Sequence, residues 1–372
     1  MVKTRKVVSS GLVAMLAAAT LAACGDAPEE ETNTGSGSEG SSATSDFQPC
    51  IVSDAGGFDD KSFNQLGFEG AEQAAEELGT ELISVESNSE NDYGPNLESL
   101  VGQGCDVIVT VGFALASATK ESAAANPDIE YVLIDDAADG GDDGATFDGE
   151  ADEPNIKPLL YDTAQAAFLA GYAAADYTKT GKVGTFGGMP FPTVTIFMDG
   201  FKQGAEYYAE EKGKDVEVVG WDGENGSFTG GFEANEAATS TAKQILDQDV
   251  DVILPVGGPI YQGAITAIED SGKDIAMIGV DADLYETDPS TQDYVLTSIL
   301  KGMKVSTYEA VKAAGEDNFD FEPYVGTLEN EGVGIAPFHN FEDKVNPELA
   351  AELDEVKAGI IDGSIEVKSY LG

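Results

Sequence analysis

Short apolar runs alternate with longer amphipathic stretches along the chain from residue 50 onward. In the first half this pattern predicts strands at 50–53, 82–86, 106–111 and 129–134, and helices at 63–78, 93–103 and 115–125. The predicted strands are apolar at nearly every position, which is typical of a parallel sheet that helices cover on both faces. Strands that alternate with helices in this way predict consecutive βαβ units.

The same alternation starts again at residue 163. The second half predicts helices at 163–175, 193–210, 233–248 and 260–271, and strands at 182–186, 216–219, 251–255 and 275–280. A closing segment predicts a strand at 295–299, a helix at 301–314, strands at 324–329 and 334–337, and a helix at 347–359. Two such halves predict an α/β protein with two doubly wound parallel-sheet lobes, whose ligand cleft lies at the carboxyl ends of the strands.

The points at which the pattern restarts and returns suggest how the chain is divided between the lobes. We expect lobe 1 to contain residues 47–160 and about 299–322, and lobe 2 to contain residues 161–298 and about 323–372. A single ordinary core does not extend over a chain of this length, which also favours two lobes. The segments that cross between the lobes would form a hinge.

The first residues of the chain have the features of a secretory signal. A basic head at residues 3–6 precedes an apolar run at 7–19 and the sequence Leu21-Ala22-Ala23-Cys24. A basic segment, a short apolar run and small residues before a cleavage site define such signals. We expect residues 1–23 to be removed as a lipoprotein signal peptide and Cys24 to carry lipid. A transmembrane helix is the alternative, but the run is shorter than the ~20 residues that a bilayer requires.

Residues 24–46 are rich in Gly, Ser, Thr, Glu and Asp and contain no large apolar side chain. Such a segment cannot bury enough apolar surface to offset its loss of conformational entropy. We therefore expect a disordered tether between the lipid on Cys24 and the folded lobes. The protein would be anchored to the cell membrane and face its extracytoplasmic side.

The charge balance is strongly acidic and narrows the range of partners. The chain has 69 acidic and 19 basic residues, a net charge of −50. Nucleic acid is excluded as a partner, since binding to phosphates requires Lys and Arg side chains. An acidic excess of this size keeps a protein soluble and destabilises its compact state by self-repulsion, which salt screens. We therefore expect a surface of the halophilic type.

Two further cysteines lie at the starts of predicted strands. Cys50 is the first residue of the strand at 50–53, and Cys105 directly precedes the strand at 106–111. If the two strands are parallel neighbours, the thiols lie side by side at their amino-terminal ends. A disulfide could then form in an oxidising compartment. Two separate buried thiols are the alternative.

The sequence offers little support for catalysis, a cofactor or a metal. His339 is the one histidine, and neither a P-loop nor a strand-anchored Gly-x-Gly-x-x-Gly motif occurs. The acidic loop 135–153 does not match the twelve-residue calcium pattern, so we interpret it as a solvated surface loop. Hydrolysis by paired carboxylates remains an alternative, because carboxylates are abundant.

Candidate binding residues follow the predicted strands. Asp54, Phe63 and Asn64 come after the first strand, where Asp54 can accept two hydrogen bonds and Phe63 offers a flat face to a ring. Asp59 and Ser62 are candidate helix caps, and Phe63 is alternatively a core anchor. The other candidates at strand ends or helix starts are Asp135, Asp136, Phe197, Gly257, Asp281 and Lys301. Asp281 and Lys301 together would suit a polyol such as ribose, or else form a rim salt bridge.

Several of these residues lie in motifs that resemble the basic membrane protein (Bmp) family. The segment 57–65, GFDDKSFNQ, resembles the opening signature of that family. The resemblance continues in order through residues 106–113, 131–135, 167–174, 182–188, 197–201, 278–281 and 296–301. Two segments depart from the family pattern, since the stretch 221–228 and the acidic loop after Asp136 are both longer here.

The resemblance implies a type I periplasmic-binding-protein fold and a lipoprotein that delivers a nucleoside to the permease subunits of an ABC importer. By motif, Phe63 and Phe197 would sandwich the base. Asp54, Asn64 and either Asp135 or Asp136 would bind the edge of the base. The ribose would contact Asp281, Lys301 and the backbone near Gly257.

From the residues and the resemblance together we expect a monomeric binding protein for a purine nucleoside, without enzymatic activity. A sugar or autoinducer-type binding protein of the same fold is one alternative, since sugars also stack on aromatic rings. A carboxylate-dependent nucleoside hydrolase is the other.

Overall fold

A computed structural model describes residues 47–140 and 151–371. The predicted signal peptide, Cys24 and the predicted tether lie outside the described residues, as do residues 141–150 of the acidic loop. Within the described ranges, no helix is both long and apolar enough to cross a bilayer.

The described residues form strands and helices that alternate along most of the chain. The strands are β1 Pro49–Val52, β2 Ile83–Val85, β3 Val107–Val111, β4 Glu130–Ile134, β5 Ile156–Tyr161, β6 Lys182–Gly187, β7 Glu217–Val219, β8 Val252–Val256, β9 Ala276–Asp281, β10 Val295–Lys301, β11 Tyr324–Gly326 and β12 Val333–Ile335. The helices are α1 Phe63–Leu78, α2 Tyr93–Gly102, α3 Ala116–Ala125, α4 Thr163–Tyr177, α5 Pro192–Lys212, α6 Glu236–Leu246, α7 Tyr261–Ser271, α8 Leu284–Thr287, α9 Met303–Gly315 and α10 Leu349–Ile361.

Two six-stranded sheets are present among the described residues. The first has the order β11-β5-β4-β3-β1-β2 and the second the order β12-β10-β9-β8-β6-β7. Every strand pair is parallel except β10 with β12, which is antiparallel. Central strands such as β3 and β8 are buried at every residue, as expected for a sheet with helices on both faces. The predicted α/β class with two parallel-sheet lobes is confirmed.

The closing segment of the chain, from residue 295 onward, crosses between the two sheets at points that differ from those that the sequence pattern suggests. β10 stays in the second sheet as far as Lys301 instead of leaving it near residue 299. β11 pairs with β5 in the first sheet, so the strand at 324 does not belong with the second lobe. The last crossing therefore lies between Gly326 and Val333.

Close backbone contact attaches helix α9 to the first sheet. α9 packs along α1, and a Cβ added at Gly70 of α1 would lie 2.3 Å from the carbonyl oxygen of Lys304. A larger residue at position 70 would force the two helices apart. The chain thus leaves the second sheet at Lys301 and enters a helix that is fixed against the first.

The structure joins Cys50 and Cys105 in a disulfide, with their Cα atoms 5.9 Å apart. β1 and β3 are parallel neighbours, and Cys50 lies opposite Ile108 in their register. The bond therefore links the amino-terminal ends of two adjacent strands in the first sheet.

Candidate ligand-binding cleft

Two aspartates at strand ends, one from each lobe, meet a single lysine. Asp135 follows β4 in the first lobe, and Asp281 ends β9 in the second. Lys301 Nζ lies 2.8 Å from Asp135 Oδ2 and 3.7 Å from Asp281 Oδ1. The exposed fraction of each of the three residues is 6% or less. Lys301 therefore connects the two lobes through a buried ion pair.

Both aspartates have left-handed backbone conformations, with φ of 69° at Asp135 and 67° at Asp281. This region favours glycine, and Asp and Asn are the side chains that enter it most readily. The conformation turns the chain sharply at the carboxyl end of each strand. It places one short carboxylate side chain at the end of β4 and one at the end of β9, both beside Lys301.

The charges in this group do not balance, because one ammonium faces two carboxylates. Burial raises the pKa of Asp281 to about 6, and the nearby Asp135 and Asp60 add to the effect while Lys301 opposes it. Ser62 Oγ, from the first lobe, lies 3.0 Å from the Val280 carbonyl oxygen and 3.2 Å from Asp281 Oδ2, so its one hydroxyl hydrogen is shared between these two acceptors. The group is therefore well supplied with acceptor oxygens that hydroxyl groups of a ligand could use.

Asp54 and Asn64 form a second polar group at the carboxyl end of β1. Asp54 Oδ1 accepts hydrogen bonds from the Gly56 N–H and from Asn64 Nδ2, both over 2.8 Å. Asn64 Nδ2 also donates to Asp60 Oδ2 over 3.2 Å. Both amide hydrogens of Asn64 are thus engaged, and its buried Oδ1 has no hydrogen-bond partner among the described residues. Burial raises the pKa of Asp54.

The side chain of Asp60 caps the start of α1. Ser62 occupies the N-cap position, but its side chain makes no capping hydrogen bond, so the alternative interpretation of Asp59 and Ser62 as side-chain caps is not supported. Asp60 Oδ1 accepts from the Ser62 and Gln65 N–H groups, and Asp60 Oδ2 accepts from the Asn64 N–H. Asp60 thereby satisfies three of the otherwise free N–H groups at the start of the helix. The side chain of Asp59 pairs instead with Lys61.

Phe63 and Phe197 approach the same lysine from different lobes. Lys301 Nζ is 5.1 Å from the centroid of each ring, so the two centroids are separated by at most twice that distance. Phe63 is half-buried, and Phe197 is 2% exposed. A third ring, that of Tyr161 at the end of β5, also lies beside this lysine, with its centroid 5.7 Å from Lys301 Nζ. Tyr161 is not among the predicted binding residues, because the sequence pattern does not predict β5.

Of the two adjacent aspartates considered for the ligand, Asp135 is the one that contacts Lys301. Asp136 Oδ1 instead accepts a hydrogen bond from the Ala138 N–H over 2.8 Å. Burial raises the pKa of Asp136 to about 6. The two neighbours thus have different surroundings, and Asp135 is the one placed between the lobes.

The backbone at Gly257 is covered by an aromatic ring that the sequence analysis did not identify. A Cβ added at Gly257 would lie 2.7 Å from Phe232 Cδ1. Phe232 belongs to the segment between β7 and α6, and it directly precedes the helix that the sequence pattern predicts at 233–248. Its position could not be derived from the spacing of the strands.

The cleft contains groups suited to binding more than to reaction. The side chains that meet there are carboxylates, an amide, one ammonium and aromatic rings. His339 instead contacts Asp283, with Nε2 2.7 Å from Oδ2, and stacks on Tyr285 with centroids 4.0 Å apart. In the part of the chain that the structure describes, no group of three His, Cys, Asp or Glu residues could hold a metal ion.

Comparison with known proteins agrees with this arrangement. The sequence model of the Bmp family, described as ABC transporter substrate-binding protein PnrA-like, matches residues 47–369. Basic membrane protein A of Borreliella burgdorferi is 31% identical over 320 residues, covering 84% of this chain and 86% of that protein. The ABC transporter nucleoside-binding protein BmpA of Lactococcus lactis is 28% identical over 382 residues, covering 98% and 99%.

A solved structure shows the same architecture. The crystal structure of an ABC transporter solute-binding protein from Aeropyrum pernix superposes with a TM-score of 0.74 at 27% identity, covering 86% of this chain and 92% of that one. The match of the family model extends over nearly all of the described residues. The chain therefore belongs to the Bmp family of extracytoplasmic, PnrA-like substrate-binding proteins of ABC transporters.

Proposed function

We propose that this protein binds a purine nucleoside between its lobes and delivers it to an ABC importer. The observation that carries the proposal is the convergence of Phe63 and Phe197, from different lobes, on Lys301 and its two carboxylates. Ring faces beside a polar group with hydroxyl-binding capacity suit a ligand that joins an aromatic base to a sugar. The name of the Lactococcus lactis relative, a nucleoside-binding protein, supports this reading.

The base would lie between Phe63 and Phe197, each of which contributes ~1–3 kcal/mol by stacking. Its edge would meet Asp54 and Asn64, whose free oxygens accept hydrogen bonds. The ribose hydroxyls would bridge Asp281 and Lys301. Since these polar groups are buried, a ligand without matching hydroxyls leaves them unpaired and binds more weakly.

Binding and lobe closure would be coupled, because the ligand contacts both lobes at once. Two direct hydrogen bonds support a closed arrangement: Ser62 Oγ donates to the Val280 carbonyl over 3.0 Å, and Thr287 Oγ1 donates to the Lys61 carbonyl over 2.8 Å. A ligand that touches both lobes only when they are closed shifts the population toward that state. The closed lobes would then present a surface to the permease subunits.

The site of action would be the outer face of the cell membrane. The signal at residues 1–23 and the following Cys24 support a lipid-anchored form, with residues 24–46 as the tether. A monomer is sufficient for this role, because one chain supplies both walls of the cleft.

Titration calorimetry of the protein without its signal peptide tests the proposal, with guanosine, inosine, adenosine, free bases and ribose as ligands. We expect binding of at least one purine nucleoside and much weaker binding of ribose. Phe197→Ala should weaken nucleoside binding by more than about tenfold, because one stacking face is lost. Phe197 is buried, so thermal unfolding of the variant must first confirm that it folds.

Phe321→Ala is the matched control, since Phe321 is 41% exposed and contacts Phe319 instead of the cleft residues. Its nucleoside affinity should equal that of the unmodified protein. Binding of sugars alone, or an affinity that Phe197→Ala leaves unchanged, would contradict the proposal.

A further inference from the structure

The ring of Phe232 packs against two glycines that lie at the ends of neighbouring strands in the second sheet. Gly188 directly follows β6, and Gly257 directly follows β8. A Cβ added at Gly188 would lie 2.4 Å from Phe232 Cδ1 and Cε1, and one at Gly257 would lie 2.7 Å from Cδ1. Any side chain at either position would displace the ring. The ring therefore rests directly on the backbone at the carboxyl ends of these strands.

The segment that carries Phe232 is fixed to the second lobe at two points that precede Phe232 in the chain. The Trp221 indole N–H donates to Asp199 Oδ1 on α5 over 2.7 Å. The Gly230 N–H donates to the Gly188 carbonyl over 2.9 Å. Hydrogen bonds to a helix and to a strand end thus hold the chain just before Phe232, although this segment lies outside regular secondary structure.

The same ring also reaches the other lobe. Phe113 follows β3 in the first lobe, and its centroid lies 4.5 Å from that of Phe191 and 6.1 Å from that of Phe232. These separations are within the range of favourable aromatic pairs. Phe113, Phe191 and Phe232 thus form an aromatic bridge between the lobes on the side of the cleft bounded by Gly257.

This bridge gives the cleft an apolar wall next to the proposed ribose position. Lys301, the cation that meets the cleft carboxylates, is already paired with Asp135 and Asp281. A phosphate or a bulky group directed toward Gly257 would meet the Phe232 ring. A charged group there would lose its hydration without gaining a partner, which is costly.

We propose that Phe232 is a specificity-determining residue that closes the cleft at the 5′ end of the ribose and rejects nucleosides substituted there. The inference rests on the proposed function, because it takes the ribose to lie against Asp281, Lys301 and Gly257. It goes further by assigning a role to a residue of the segment between β7 and α6, which the sequence analysis did not place at the site.

Calorimetry on Phe232→Ala tests the inference with two neutral ligands. One is whichever of guanosine, inosine and adenosine binds tightest, and the other is its 5′-methylthio derivative. We expect the unmodified protein to prefer the parent nucleoside by at least about tenfold, a typical effect of excess volume in a fitted pocket. Phe232→Ala should reduce this preference about tenfold or more, because removal of the ring leaves room for the substituent.

Phe228→Ala is the matched control. Phe228 lies on the same segment, but its ring packs against Trp221 with centroids 6.1 Å apart. The Phe228→Ala variant should prefer the parent nucleoside to the same extent as the unmodified protein does. Phe232→Leu, which keeps most of the apolar volume, should retain part of the preference and provides a second test if Phe232→Ala folds poorly. Trp221 is the single tryptophan of the chain, so an unchanged emission spectrum verifies that the segment is in place.

Each remaining outcome contradicts a different statement. If the unmodified protein binds both ligands equally, or if Phe232→Ala keeps the full preference, Phe232 does not set specificity. If Phe228→Ala loses the preference as fully as Phe232→Ala, loosening of the segment explains the effect, and the inference is overturned. If no nucleoside binds the unmodified protein, the proposed function itself fails.

Discussion

Asp281 combines a structural constraint with an electrostatic one. Its left-handed backbone restricts the residues that fit, and its burial beside Asp135 and Asp60 disfavours the charged form. An asparagine keeps the backbone preference and removes the charge. Asp281→Asn therefore isolates the ionisation of this carboxyl group.

Burial raises the pKa of Asp281 from 3.8 to about 6, so the folded state holds its proton more tightly than the unfolded state does. The resulting stabilisation is fully present below pH 3.8 and is lost as the pH rises through about 6. Lowering the pH from 7 to 5 should therefore increase the free energy of unfolding by about 1 kcal/mol through this group. Urea unfolding at both pH values measures the increase.

Burial also raises the pKa of Asp54 and Asp136, so these carboxyl groups change the stability in the same direction, and only a comparison of variants isolates Asp281. Asp281→Asn should lose about 1 kcal/mol of the increase between pH 7 and pH 5. Asp362→Asn is a suitable control, because Asp362 is exposed and hydrogen bonds from Ser364 lower its pKa. Equal pH dependence in Asp281→Asn and in the unmodified protein would show that Asp281 does not titrate in this range.

At the level of residues, the sequence pattern points to candidate site residues that directly follow a predicted strand or begin a predicted helix. Asp54, Asp135, Asp281 and Lys301 are of this kind, and the structure brings Asp135, Asp281 and Lys301 together. Phe232 and Tyr161 could not be predicted in this way. The position of Phe232 is set by tertiary contacts with two glycines. The position of Tyr161 is set by a strand that the sequence pattern did not reveal.

At the level of elements, the missing strand has a clear cause. β5 reads IKPLLY and carries Pro158 in its interior, and a proline normally argues against a central strand. Here β5 pairs with β4 on one side and with the short strand β11 on the other. Because the sequence pattern does not predict β5, it offers no partner for β11 in the first lobe. The last crossing from the first lobe to the second was therefore predicted too early in the chain.

The disulfide joins two elements and is open to a direct test. Cys50 and Cys105 are 55 residues apart in sequence, and closing a loop of this size stabilises a protein by roughly 2–4 kcal/mol. Replacing both cysteines by serine should lower the free energy of unfolding by about this amount. Guanidinium unfolding with and without reductant measures the same difference in the unmodified protein.

Mass spectrometry after alkylation under denaturing conditions provides the control for the disulfide. Without reductant, neither Cys50 nor Cys105 should be alkylated, and after reduction both should be. Reductant should not change the stability of the double serine variant. Free thiols in the unreduced protein would show that the two cysteines are separate and buried.

At the level of the whole molecule, the charge imbalance dominates the electrostatics. Lysine and arginine number 19 against 69 acidic residues, so most carboxylates have no basic side chain to pair with. Several ion pairs that do occur are largely exposed, such as Lys179 with Asp274, and such pairs contribute little. Salt weakens these few attractions and many more repulsions, so its net effect should favour the folded state.

Raising the concentration of sodium chloride from 0.01 to 1 M reduces the Debye length from about 30 to about 3 Å. The free energy of unfolding should rise over this range, and most of the rise should occur below about 0.3 M, where screening changes fastest. Urea unfolding at fixed pH across a salt series measures it. Sucrose at matched osmolality is the control, since it stabilises by exclusion from the surface without screening charge. A curve that is flat with salt, or that sucrose reproduces in full, would show that repulsion among the carboxylates does not limit the stability of this protein.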